Sequence, residues 1–341
     1  MRLLVVTQVL DEEDPVLGFF CRWVTELADR AESIVVVCLK EGKHTLPENV
    51  AVHSLGKEEG AQPAFVYAVR FKYLAWKLRR QYDRVLVHMN QEYLLIAGPM
   101  WKVLGKPVYL WRNHYAGSFL TDIAATFAKN VFCTSRHSYT AKYRKTMLMP
   151  VGVDLENFPI GTSERQPRSI LFLARIAPSK RADMFIDALG RLIARGISFI
   201  ASVYGSPLPE DERYYESIKA RAEDAGLHSR VAFHPGVTHR EAAALYQTHE
   251  IFVNCSPSGM FDKTLFEAAA SGCLVIAASD DFRTLAGQSA YAADDEMLAK
   301  VLEKKLALSP EEKEMRRKEL RELAEDHSLP ALADALIRAI Q

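Results

Sequence analysis

The chain has 341 residues, 49% hydrophobic and 25% charged, with 43 basic and 43 acidic side chains. That apolar fraction excludes a disordered chain, and zero net charge excludes a nucleic-acid binder held by bulk charge. The length predicts two domains, and the zero is a sum of unlike halves: residues 1–155 carry 20 Lys/Arg against 15 Asp/Glu, the remainder 23 against 28.

Residues 1–10 lead straight into the acidic run DEED without a long apolar region, which predicts no signal peptide. Short β-branched runs then recur at 2–9, 33–39, 50–55, 84–89, 107–112 and 131–135, with helical patterns between most of them. Continuous rather than alternating apolar runs predict strands buried on both faces, and strand–helix alternation predicts a doubly wound parallel sheet. The longest apolar stretch, 93–111, contains Lys102, Lys106 and two prolines, so it is no membrane span. Residues 155–168 are polar with a glycine and two prolines and read as a linker. The pattern resumes at 169–174, 199–205, 230–236, 250–256 and 273–279. Two such sheets, with a cleft between them, would present two ligand-binding carboxyl edges, which suits a transfer reaction. A charged, solvated helix over 309–327 and an amphipathic one opened by Pro330 close the chain. The five cysteines form no C-x-x-C pair, which predicts a reduced, cytosolic chain with buried thiols and no zinc site. No G-x-G-x-x-G follows the first run and no P-loop occurs, which removes the main support for a dinucleotide oxidoreductase or a P-loop NTPase.

Five places carry candidate chemistry. Arg175, Lys180 and Arg181 follow a predicted strand, with Lys180 and Arg181 in the first turn of the next helix, where cations oppose the helix dipole unless an anion joins them. A phosphate fits; pairing with Asp183 or Asp187 is the alternative. In 254–279 a Ser/Pro/Gly loop runs into a helix near Lys263, with Glu267 four residues on. That glutamate suits two ribose hydroxyls or an ion pair with Lys263. His114 lies beyond the run at 107–112, on the ligand edge of the sheet or in a structural hydrogen bond, and His88 holds the like position one strand earlier. Gly18, in the loop after the first strand, lets backbone approach a ligand or serves the turn. Residues 65–84 combine six basic and six aromatic residues with one acid. On a helix, Phe65, Val69, Tyr73 and Trp76 share one arc and Tyr67, Phe71, Leu74 and Leu78 another. One arc packs on the sheet; the other, flanked by Arg70, Lys77, Arg80 and Arg84, lies on an anionic membrane surface or is itself buried.

These segments together resemble the retaining nucleotide-sugar glycosyltransferases of the GT-B fold, family 4. LFLARIAPSKRADMFIDAL, the stretch from VYGSPLPEDE through HEIFVNCSPS, MPVGVDLENF and FDKTLFEAAASGCLVIAAS carry the resemblance over most of the chain. It implies an α/β protein of two Rossmann-like domains: residues 1–155, with 327–341 packed on them, for the acceptor, and 156–326 for the donor. It implies that Arg175 and Lys180 bind the donor diphosphate and that Glu267 binds the ribose. The loop of Ser258, Gly259, Met260, Phe261, Asp262, Lys263 and Thr264 would cradle phosphate and sugar. Val237 would line the base, Gly18 the diphosphate, and His114 would contact the sugar near the reacting carbon. The family usually has a second glutamate eight positions before Glu267, where this chain has Gly259, and a glycine where it has Ala174. Asp262 is a candidate to replace the missing sugar contact.

The expected activity is transfer of a sugar from a nucleoside diphosphate to a hydroxyl of a glycan or lipid-linked glycan. No cofactor and no metal is expected, because the cations of the site stabilise the leaving group. The expected location is cytoplasmic, at the inner face of a membrane. A nucleotide-sugar epimerase or a silent binding subunit on the same fold is the alternative.

Overall fold

The computed structural model describes residues 1–14, 16–161, 165–259 and 262–341. They form two compact units, Met1–Gly152 with Leu329–Gln341, and Val153–Ser328.

In the first unit, β1 (Arg2–Leu10), β2 (Ser33–Glu41), β3 (Val50–Ser54), β4 (Arg84–His88), β5 (Val108–Trp111), β6 (Asn130–Cys133) and β7 (Thr146–Leu148) make a parallel sheet ordered β3-β2-β1-β4-β5-β6-β7. Alternate residues of β1 explain its unbroken apolar sequence. Leu3 and Val5 face the core beneath α1 (Phe19–Ala28). Leu4 and Val6 face α2 (Ala64–Lys77), α3 (Glu92–Val103) and α4 (Phe119–Phe127). The chain winds outward from β1 in one direction and resumes at β4 in the other. The switch point therefore lies between the carboxyl ends of β1 and β4. There Thr7 Oγ1 sits 3.3 Å from Nδ1 of the buried His88. The edge strand β7 is too short and too exposed to give a sequence signal; Met147 and Leu148 face solvent.

In the second unit, β8 (Gln166–Leu173), α5 (Ala182–Ala194), β9 (Ile200–Tyr204), α6 (Glu212–Asp224), β10 (Val231–His234), α7 (His239–Thr248), β11 (His249–Asn254), α8 (Lys263–Ala270) and β12 (Leu274–Ala277) follow in turn. The parallel sheet runs β10-β9-β8-β11-β12, so its switch point lies between the carboxyl ends of β8 and β11. Helices α9 (Asp280–Ala286), α10 (Asp295–Leu306) and α11 (Pro310–Asp326) complete the unit.

Three local expectations are corrected. The sheet begins at Gln166, inside the segment read as linker, because Gln166 already pairs with His249. Lys180 and Arg181 precede α5 rather than sitting in its first turn. Pro178–Lys180 form a single 3-10 turn, and Arg181 adopts φ +52° before the helix starts. The aromatic-basic helix ends at Lys77, and Arg84 belongs to β4, donating to the Ile340 and Gln341 carbonyls.

The last helix, α12 (Leu329–Ile340), packs in the first unit: Leu332, Leu336 and Ile340 join Phe20, Trp23 and Leu27 of α1. Arg30 pairs with Asp334 at 2.6 Å, and Tyr109 donates to the Ile340 carbonyl at 2.9 Å. All five cysteines are buried.

Candidate active site

Most of the candidate residues of the second unit lie near its switch point. Arg175 leaves the end of β8 exposed, and among the described residues it has no hydrogen-bonding or ionic partner. Lys180, five residues on, is held inward. Its Nζ lies 2.8 and 3.0 Å from the two Asp262 carboxylate oxygens and 3.2 Å from Ser256 Oγ. Ser256 Oγ donates to Asp262 Oδ2 at 2.6 Å. Asn254 Nδ2, at the end of β11, donates to the same oxygen at 2.9 Å and to Thr264 Oγ1 at 3.2 Å. Burial pushes the Asp262 carboxyl up, but Lys180, Ser256 and Asn254 outweigh it and hold it below the usual range.

Glu267 lies one turn into α8 and is almost wholly buried, its side chain 5% exposed. Its Oε1 is 3.0 Å from Nε2 of His239, the first residue of α7. The loop before α7 sets that ring. Thr238 and Glu241 form a reciprocal capping box, and Phe158 meets His239 edge-on at 4.9 Å. The hydrogen bond that His239 donates to Glu267 raises its pKa above the ordinary value, against burial. Val237, half-buried, immediately precedes this box. Lys263 opens α8; burial draws its ammonium down to about 7, against the opposing pull of Glu267 and Asp154.

The loop ahead of α8 is tied to α9. Asp280 N–H donates to Ser258 Oγ at 2.7 Å, and Gly259 N–H to Asp281 Oδ2 at 3.3 Å. Gly259 stands at φ +101°, where a glutamate would be strained, so the missing first glutamate coincides with a backbone path that suits glycine. Met260 and Phe261 lie outside the described residues.

In the first unit, Nδ1 of His114 accepts the Ala116 N–H at 2.9 Å, and the ring stacks on Tyr115 at 4.6 Å. Nδ1 also lies 3.3 Å from the Ala116 carbonyl oxygen; in the tautomer that accepts the Ala116 N–H, Nε2 is the donor. A Cβ at Gly18 would lie 2.7 Å from the Asp14 carbonyl oxygen and 2.8 Å from that of Glu12, so its own turn already requires glycine there.

The structure thus joins Lys180, Asp262 and Thr264 in one network and Glu267 to His239. Asn254, Ser256 and His239 were not singled out from sequence. Asn254 stands at a carboxyl strand end, which is a usable signal; His239 had none apart from its place beside Val237.

Residues 167–307 match the family described as glycosyl transferases group 1. The UDP-N-acetylglucosamine–peptide N-acetylglucosaminyltransferase GtfA subunit of Streptococcus gordonii is 26% identical over 174 residues, 49% of this chain and 33% of that protein. A D-inositol 3-phosphate glycosyltransferase of Frankia alni is 28% identical over 154 residues, 41% of this chain and 38% of that protein. The chain therefore spans little more than a third of the length of these relatives. In structure it is similar to Anabaena HepE in complex with UDP, with a TM-score of 0.78, 15% identity and 99% of both chains covered. The segment that holds Arg175, Lys180, Asp262 and Glu267 is thus similar to glycosyl transferases group 1, and the two parallel-sheet units have the fold of the GT-B glycosyltransferases.

Proposed function

We propose that the chain is a retaining glycosyltransferase that moves a sugar from a nucleoside diphosphate to a hydroxyl of a glycan or lipid-linked glycan without a metal ion. The observation that carries this reading is that a cation unpartnered among the described residues, Arg175, and a buried carboxylate, Glu267, lie on segments that leave the two strands flanking one switch point. Cleavage of the sugar–phosphate bond builds negative charge on the departing diphosphate and positive charge on the sugar. Arg175, Lys180 and the amide end of α8 supply the compensating charge that a divalent cation would otherwise supply. Glu267 takes the ribose hydroxyls, Val237 lines the base and the 258–264 loop receives phosphate and sugar. His114, donating from Nε2, contacts the sugar, and Gly18 lies by the diphosphate. Retention of configuration rests on the family resemblance of the motifs.

Acceptor binding falls to the first unit, which also carries an exposed apolar stripe on α2 bordered by cations. We read it as a contact with the anionic inner face of a membrane. Buried thiols agree with a cytoplasmic setting, and among the described residues no helix is long and apolar enough to cross a membrane.

Thermal shift against UDP, GDP, ADP and their sugar conjugates tests the donor site, since a ligand of the native state raises Tm by mass action. UDP is the first nucleotide to try, given the UDP-bound neighbour. Transfer to an added acceptor with the anomeric configuration kept, and undiminished by EDTA, is the expected result. Release of an epimerised free nucleotide sugar, or binding without turnover on any acceptor, overturns it.

A further inference from the structure

Asp262 occupies the N-cap position of α8, where an aspartate ordinarily accepts the first free amides of its helix. Here its side chain makes no such bond. The carboxylate is turned the other way, onto Lys180, and is fixed there by Ser256 Oγ and Asn254 Nδ2. Both ends of the ion pair are mostly buried, with side chains 17% and 20% exposed. Two groups from segments 82 residues apart have given up solvent to neutralise each other at a place already read as an anion site. Arg175, in contrast, stands exposed and without a partner among the described residues.

We propose that Asp262 is the internal counter-ion of Lys180: it holds the lysine in place while the donor site is empty and competes with the diphosphate for it, so that it limits how tightly the nucleoside diphosphate product is retained. This rests on the donor-site reading above. An arriving diphosphate meets Arg175 as a full charge and Lys180 as half of a neutral pair. The lysine swings its hydrogen bonds toward phosphate, and Asp262 stays anchored to Ser256 and Asn254 as the competing partner that draws the lysine back once transfer is complete. Asp262 acts through Lys180 and is a positioning residue.

The test is a double-mutant cycle on the full chain, with the affinities of UDP, GDP and ADP measured by calorimetry. Asp262→Asn keeps one acceptor oxygen for Ser256 and Asn254, replaces the other oxygen facing Lys180 with an amide NH2, and removes the charge. It is expected to tighten the best-bound nucleotide about tenfold or more and to lower kcat with a lower donor KM, as product release slows. In a Lys180→Met background the same substitution is expected to change the affinity less than about twofold. A merely structural role would weaken binding, not tighten it. Should Asp262→Asn fail to fold by circular dichroism, Asp262→Ser, which leaves a hydroxyl facing Ser256, replaces it. An affinity unchanged or weakened by the charge removal, or tightened equally without Lys180, overturns the proposal. Absence of nucleotide binding to the wild type overturns the donor-site reading itself, and this proposal with it.

Discussion

His239 Nε2 lies 3.0 Å from Glu267 Oε1, joining the start of α7 to the middle of α8. The carboxylate read as the ribose ligand is therefore held from outside its own helix, and half of the histidine remains in solvent, its side chain 54% exposed. The bond favours the imidazolium, so the folded-state pKa of His239 is raised. The pair's contribution to stability is fully present below the unfolded value of about 6.5 and is lost as pH rises through the folded value. A proton NMR titration should place the His239 midpoint above that of an ordinary histidine, and Glu267→Gln should return it toward that value. Glu267→Ala should raise the donor KM more than it lowers kcat. His239→Ala should raise KM about threefold, the scale of a half-exposed pair. An unshifted histidine midpoint would sink the coupling.

If the proposed donor site is right, Arg175 and Lys180 should separate binding from stability. Arg175 is exposed and, among the described residues, unpartnered, so Arg175→Ala should leave Tm within about 1 °C while cutting kcat/KM more than tenfold. Lys180→Ala should cut turnover as much but also lower Tm by several degrees, because it strands Asp262 in a mostly buried site at about 1–3 kcal/mol. Equal Tm values for the two variants, or near-normal turnover in either, would defeat the contrast.

The same contrast shows what could be read from the sequence. Strands β1, β4 and β11 were legible because burial on both faces leaves an unbroken apolar run. The places of Arg175 after a strand and of Glu267 in the first turns of a helix were legible because a strand end and a helix start are local features. The partners of Lys180 and Glu267 were not. Asp262 is 82 residues from Lys180 and His239 is 28 from Glu267, and helical periodicity registers only neighbours three or four apart. Lys263 was the one local candidate for Glu267. The end of α2 at Lys77 was also illegible, since apolar residues continue at Leu78 and Tyr82 without a glycine or proline to mark the stop.

The C-terminal helix offers a test of the first unit's core. Gly152, at φ +77°, turns the chain out of that unit, and a Cβ there would meet Leu332 and come within 3.1 Å of Trp23 Cζ2. Gly152→Ala should cost about 1–2 kcal/mol from the left-handed backbone alone, and more from the contacts. Leu336, 1% exposed against α1, should cost about 2–5 kcal/mol when cut to alanine. The exposed Arg338→Ala should stay within about 0.5 kcal/mol. Denaturant midpoints give all three; a silent Leu336→Ala would mean that α12 is not part of the core.

Helix α2 divides as its two arcs predicted, and the division selects between burial and an outward role. Phe71 is buried and Leu74 and Tyr67 pack against the same core, whereas Phe65, Val69, Tyr73 and Trp76 are 69, 65, 60 and 47% exposed. The stripe is bordered by Lys72, Lys77, Arg79 and Arg80, with the Arg79 guanidinium 4.0 Å over the Trp76 ring. Arg70 is turned inward to the Leu55 carbonyl and does not count among them. The helix contains no acid. An amphipathic face of this kind gains from burying aromatic area at the headgroup boundary and about 1 kcal/mol per cation at an anionic surface. The chain should therefore sediment with phosphatidylglycerol-containing vesicles at low salt, and much less with pure phosphatidylcholine or at high salt. Phe65→Ser with Trp76→Ser should weaken partitioning about tenfold or more, and Lys72→Glu with Lys77→Glu should remove the preference for anionic lipid. Because all four side chains are exposed, neither pair should move Tm by more than about 2 °C. If the wild type fails to sediment with either vesicle, the stripe is not a membrane contact.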